Sequence, residues 1–104
     1  MDNSTAVGVM SNIKAQQLLH ERHQVHDAAF VELKVWRVPT PVLGSSHAFK
    51  YALAYVVEGE CVLRYDNEAG KGDHHHIGSV ETPYVFISAE QLLRDFWRDV
   101  DEWS

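Results

Sequence analysis

One cysteine in 104 residues is the sharpest scarcity in this sequence. Cys61 alone cannot close an intramolecular disulfide, and no zinc-finger spacing exists. It stands in the apolar run Cys61-Val62-Leu63, where a buried, inert thiol is expected rather than a nucleophile. Long apolar stretches are missing too. None approaches the roughly 20 residues that span a bilayer. The start, Met1-Asp2-Asn3-Ser4-Thr5, has neither the basic residues nor the apolar run of a secretory signal. These absences point to a cytoplasmic protein without membrane contact. Internal repeats and low-complexity tracts are absent as well. An excess of positive charge is also lacking. The net charge is −6, which argues against loose, non-specific adhesion to nucleic acid.

The length suits one domain with its own core. Residues 1–12 are mostly small and polar and are expected to be disordered. Residues 13–104 are expected to form a single α+β domain. Charge is unevenly placed. Glu90, Asp95, Asp99, Asp101 and Glu102 outnumber Arg94 and Arg98 near the C-terminus. Between Val31 and Val80, acids and bases nearly balance, and four histidines join them. The middle of the chain can therefore present a locally basic surface.

The spacing predicts an amphipathic helix from about Ala89 to Glu102. Ser88 is a good N-cap, and Gln91 completes a capping-box pattern. Ile87 and Leu92 stand at the positions of a hydrophobic staple. Leu92, Leu93, Phe96, Trp97, Val100 and Trp103 recur at helical spacing, while Arg94, Asp95, Arg98, Asp99 and Asp101 take the other face. Such a helix docks its apolar stripe on a sheet.

Strands are expected before it. Ala29 to Val38 is rich in β-branched and aromatic residues and ends at Pro39. Phe49 to Val57 alternates Tyr51, Leu53, Tyr55 and Val57 with small or apolar partners, so both of its faces look largely buried. Glu58-Gly59 signals a tight turn into a return strand, Cys61 to Tyr65. Pro39 to Ser46 reads as a stiff loop. Lys14 to His26 fits either a short helix or an edge strand turning at His26-Asp27. The expected whole is an antiparallel sheet of four to six strands, with the C-terminal helix on one face.

The densest polar stretch runs from Arg64 to His76. Gly70 and Gly72 permit positive φ and close backbone approach. In an extended chain, His74 and His76 point to one face and His75 to the other. Asp73 stands where it could orient an imidazole. Three readings compete. His74 and His76 are metal ligands, with a third from Asp66, Glu68, Asp73 or His47. Or the histidines exchange protons while Arg64 and Lys71 hold a phosphate, which is a recipe for metal-free RNA cleavage through the ribose 2′-hydroxyl. Or the segment is a solvated loop. Tyr65 is read as packing, with stacking as the alternative, and His47 as a satisfied surface histidine.

The order Arg64-Tyr65-Asp66-Asn67, then Gly70-Lys71-Gly72-Asp73-His74-x-His76, resembles the TumE family of type II toxin–antitoxin toxins from bacteria and archaea. Val31 to Pro39, Gly44 to Tyr51 and Pro83 to Val100 support the likeness, which covers about residues 14–102. The first dozen residues match nothing. The family's pattern falls on Asp66, Lys71, Gly72, Asp73, His74 and His76, whereas the position of His75 varies. Relatives usually have glycine in the first hairpin turn; here that turn is His26-Asp27-Ala28-Ala29. The resemblance implies a small toxin paired with a helix-turn-helix antitoxin. By analogy with other small α+β toxins, it suggests a metal-independent endoribonuclease with RNA as substrate and no cofactor. His74 and His76 would be the acid–base residues, Asp73 their orienter, and Lys71 and Arg64 the phosphate binders. The metal alternative takes His74, His76 and Asp66 as ligands. A homodimer is left open. The rival reading is a non-enzymatic module acting through protein contacts, and the acidic helix face suggests a basic antitoxin segment as partner.

Overall fold

The structure is a computed structural model that describes residues 14–68 and 70–103. The expectation of disorder over residues 1–12 lies outside them. Six antiparallel strands follow one another in a simple meander, β1-β2-β3-β4-β5-β6. They are β1 (Gln16–His26), β2 (Ala29–Arg37), β3 (Phe49–Val57), β4 (Glu60–Asp66), β5 (His74–Ile77) and β6 (Val80–Pro83). Helix α1 (Ala89–Trp103) then lies over β3 and β4. This is the α+β architecture expected from the sequence.

Lys14 to His26 resolves as the edge strand. The turn into β2 uses Ala28 at φ 65°, a left-handed conformation without the glycine that usually supplies it. The β3–β4 turn places Glu58 and Gly59 at φ 52° and 81°. Two consecutive positive values match the twist of a two-residue hairpin.

The core lies between one sheet face and α1. Val31, Leu33, Val35, Tyr51, Leu53, Tyr55, Leu63 and Tyr65 meet Leu92, Phe96 and Val100 there. Truncating a side chain as enclosed as Phe96 to alanine would cost about 3–5 kcal/mol. Among the described residues, only one face is covered in this way. Lys50, Ala52, Ala54 and Val56 of β3 point to the other face and stay partly exposed, so the expectation of two buried faces is corrected. Among the described residues, one helix shields one face.

Two details at the helix differ from expectation. Ser88 Oγ accepts the Gln91 N–H at 3.0 Å, as a cap should. Ile87, however, is 74% exposed and makes no staple with buried Leu92. Asp95 and Asp99 are not on a free outer face either. Tyr84 donates its hydroxyl to Asp95 at 2.6 Å, and Tyr65 donates to Asp99. Burial and these bonds push both phenols well above their ordinary pKa. The two pairs pin the helix across the sheet. Cys61 is exposed, not buried: the β3–β4 ladder is irregular between Tyr55 and Val56, and Cys61 pairs beside that irregularity.

Candidate functional site

Strand register builds the site. On the face opposite α1, bare among the described residues, Glu32, Ala54, Arg64, His76 and Glu81 line up across β2 to β6. Beside them run Lys34, Ala52, Asp66 and His74. His75 pairs with Tyr65 on the opposite, helix-covered face, where its ring stacks on the Tyr65 ring at 4.9 Å. The alternation of a strand thus separates His75 from its neighbours. Tyr65 is packing, as expected.

Glu81 is the residue that sequence reasoning missed. It arrives through the hairpin Ile77-Gly78-Ser79-Val80, which sets it directly across from His76. Gly-Ser between two apolar residues was the available signal. Three nitrogens converge on Glu81 Oε2: Lys71 Nζ at 2.8 Å, His74 Nε2 at 3.2 Å and His76 Nε2 at 3.3 Å. The Lys71 hydrogen bond holds the Glu81 carboxyl below its usual range. Asp66 lies on the other side of His74, with Oδ1 at 3.0 Å from Nε2, and its Oδ2 accepts Arg64 Nε at 2.7 Å. His74 Nδ1 faces the Gly72 carbonyl at 2.9 Å. Both ring nitrogens of His74 therefore face oxygen acceptors. The ring is 8% exposed, whereas His76 is 36% exposed and open to solvent.

Asp73 does not join this cluster. The carboxylates beside the imidazoles are Asp66 and Glu81. Asp73 instead accepts Ser45 Oγ at 2.7 Å, His47 Nε2 at 2.7 Å and Tyr51 Oη at 2.6 Å. Burial raises its pKa, but these three bonds outweigh burial and hold the carboxyl below its ordinary value. His47 is not a surface residue. Its ring is half-stacked into the fold, 3.7 Å from the Phe86 ring, and its Nδ1 accepts the Phe49 N–H at 3.2 Å. With both nitrogens engaged it has no free lone pair for catalysis. Asn67 completes this second network. Its Oδ1 accepts the Tyr51 N–H at 3.0 Å and its Nδ2 donates to the Phe49 carbonyl at 2.8 Å, extending the β3–β4 ladder with a side chain.

The two networks meet through backbone. A Cβ on Gly44 would lie 2.6 Å from Gly72 N, and one on Gly72 would lie 2.9 Å from Gly44 O. These glycines let the Pro39–Ser46 loop press against the segment that enters β5. Above them lies a cavity of about 500 Å³ lined by Ser45, Ser46, Lys71 and Phe86 among others. A smaller one of about 240 Å³, bordered by Lys71, His74 and Glu81, opens on the bare face. Ser45, His47 and Asp73, which line the larger one, are bonded to one another, whereas the imidazole–carboxylate cluster borders the smaller one.

These features define a small α+β protein with a helix on one sheet face and an imidazole–carboxylate cluster on the other. No characterised protein and no solved structure matched the chain. The family model for toxin TumE matches residues 9–104, and the chain belongs to that family. The match takes in residues 9–12, which the resemblance read from the sequence had left out. The chain is thus a toxin of a toxin–antitoxin system, and its partner is an antitoxin. No helix among the described residues is long and apolar enough to cross a membrane.

Proposed function

We propose that this toxin is a metal-independent endoribonuclease whose activity inhibits growth. The carrying observation is the convergence of Lys71, His74 and His76 nitrogens on one carboxylate oxygen. A point that satisfies three N–H donors with an oxyanion suits a phosphate oxygen equally well. Glu81 sits on the edge strand β6 and is partly exposed, so an arriving phosphate can displace it. The bare face adds a track for RNA. Lys34, Trp36 and Arg64, together with Glu32 and Glu68, line a cavity that also includes Ala52 and Ala54, which brings two cations and a ring for stacking to this face.

In this reading the half-exposed His76 takes the proton from the ribose 2′-hydroxyl. The 2′-oxygen bonds to phosphorus, and the bond from phosphorus to the 5′-oxygen breaks. His74, held by Gly72 and Asp66, gives its Nε2 proton to that leaving oxygen. Lys71 and Arg64 offset the charge that develops on the phosphoryl oxygens. Asp73 shapes the scaffold and takes no proton. A partner of the helix-turn-helix class, with a basic segment facing the exposed Glu90, Asp101 and Glu102, fits the chain's charge. Association rates that ignore salt would contradict that pairing.

The test is expression without antitoxin of wild type and a His74→Ala/His76→Ala double variant. Wild type is expected to arrest growth and the folded variant to permit it. Equal arrest by both sinks the catalytic reading and favours the non-enzymatic module. A second reading has its own observation. His74 Nε2 lies between two carboxylates, Asp66 and Glu81, as a metal ligand would. Cleavage abolished by EDTA and restored by zinc or manganese would establish a metal-dependent nuclease instead.

A further inference from the structure

We infer that His74, His76 and Glu81 form a binding site for a zinc-class divalent ion, and that the ion silences the acid–base chemistry proposed above. The site itself is argued from geometry alone; the silencing rests on the ribonuclease reading.

The ligand atoms of these residues all lie within 4.8 Å of one another. Glu81 Oε2 is 3.2 Å from His74 Nε2 and 3.3 Å from His76 Nε2. A tetrahedral ion with bonds of about 2.0–2.1 Å has ligand-to-ligand edges of about 3.3–3.4 Å. The two edges from Glu81 to the histidines already have nearly that length, and the edge between the histidines is within 4.8 Å. His74 is also oriented as metal-bound imidazoles usually are. Its Nδ1 faces the Gly72 carbonyl at 2.9 Å, which fixes the ring and directs Nε2 at the cluster. Asp66 Oδ1, 3.0 Å from that nitrogen, can accept from a water on the ion. All three ligands stand on paired strands, β5 and β6, rather than on a mobile loop.

Two imidazoles and one carboxylate select zinc over magnesium, which prefers oxygen ligands and retains its waters. The donor set leaves the fourth position open. On binding, any Nε2 proton passes to solvent, and the ammonium of Lys71, on a side chain 56% exposed, swings away from Glu81. The ion then holds the two Nε2 lone pairs that proton transfer requires. It also occupies the point where a phosphate oxygen would meet the histidines.

The experiment is calorimetric titration of the full chain with zinc chloride, and separately with magnesium chloride. His76→Ala and Glu81→Gln test the ligands, because both positions are partly exposed and tolerate change. His74→Ala is added with circular dichroism as a check on folding. His23→Ala on β1 is the control for the exposed histidines there. One zinc per chain is expected, with no comparable magnesium binding. Loss of either exposed ligand should weaken zinc by at least the roughly 10–100-fold that loss of an outer partner causes. Undiminished affinity in His76→Ala and Glu81→Gln, or loss in His23→Ala alone, overturns the site.

In a parallel RNA-cleavage assay, zinc is expected to suppress wild-type activity and EDTA to restore it. Zinc-dependent activation would leave the ion site standing and overturn the silencing role, together with the metal-free mechanism. Absence of cleavage under every condition would refute the ribonuclease reading, and with it the silencing role, while calorimetry still decides the site.

Discussion

Replacing Asp73 with asparagine keeps the shape of the side chain and removes the charge that three donors share. Oδ2 receives both His47 and Tyr51, and Oδ1 receives Ser45. The amide oxygen would stay with His47 and Tyr51, leaving the new NH₂ group facing Ser45 Oγ. A hydrogen bond to a charged group contributes about 1.5–3 kcal/mol and a neutral one about 0.5–1.5 kcal/mol, so two weakened bonds and one rearranged bond cost about 2–3 kcal/mol. For a domain of this size that lowers Tm by about 10–20 °C. The variant remains folded at 25 °C if the parent has ordinary stability. Acid should narrow the gap. The folded Asp73 carboxyl titrates below its unfolded value, so its contribution is complete above about pH 5 and is lost as pH falls through the folded pKa. The asparagine variant lacks that dependence. Thermal unfolding followed by circular dichroism at pH 7, 5 and 3 should show the two Tm values drawing together. A variant with wild-type Tm that has lost all toxicity would refute the scaffold role and return Asp73 to the chemistry.

Three further perturbations separate scaffold from site. Ala28→Gly relieves a left-handed alanine and should stabilise the chain by about 0.5–1 kcal/mol in urea unfolding; destabilisation would mean that the turn is not as described. Gly72→Ala at φ 85°, with Gly44 O only 2.9 Å from the new Cβ, should cost about 1–3 kcal/mol, measured the same way. Glu81→Gln removes a carboxylate that competes with phosphate, so KM for an RNA substrate should fall several-fold; a raised KM would contradict the displacement argument.

The sequence carries much of this fold in local signals. The Glu58-Gly59 turn, the capped helix at Ser88 and the alternation of Tyr51, Leu53 and Tyr55 are each contained within a few residues. β1 was ambiguous for a physical reason. α1 meets it through the tilted contact of Trp97 with His23, at 6.5 Å between rings, and nearly all of its side chains are exposed, so neither face imposes an apolar period. Ile87 looked like a staple because sequence shows the spacing and not the direction of a side chain. Asp95 and Asp99 looked solvated because Tyr84 and Tyr65, which engage them, come from elsewhere in the chain. The same distinction governs the site. The Asp66-to-His76 motif marks the segment, and strand alternation separates His75 from His74 and His76. The assignment of carboxylates to histidines needed the β5–β6 register, which brings Glu81 across from His76. It also needed the contact of Gly44 with Gly72, which draws Asp73 away to Ser45, His47 and Tyr51.

The most direct test of the central claim is the chemical nature of the ends produced when purified wild-type protein cuts RNA in excess EDTA. Attack by the 2′-hydroxyl, with His76 as base and His74 as acid, predicts a 2′,3′-cyclic phosphate on one fragment and a 5′-hydroxyl on the other. The His74→Ala/His76→Ala variant should yield neither. Fragments ending in 5′-phosphate and 3′-hydroxyl, or cleavage that persists in the double variant, would contradict the account.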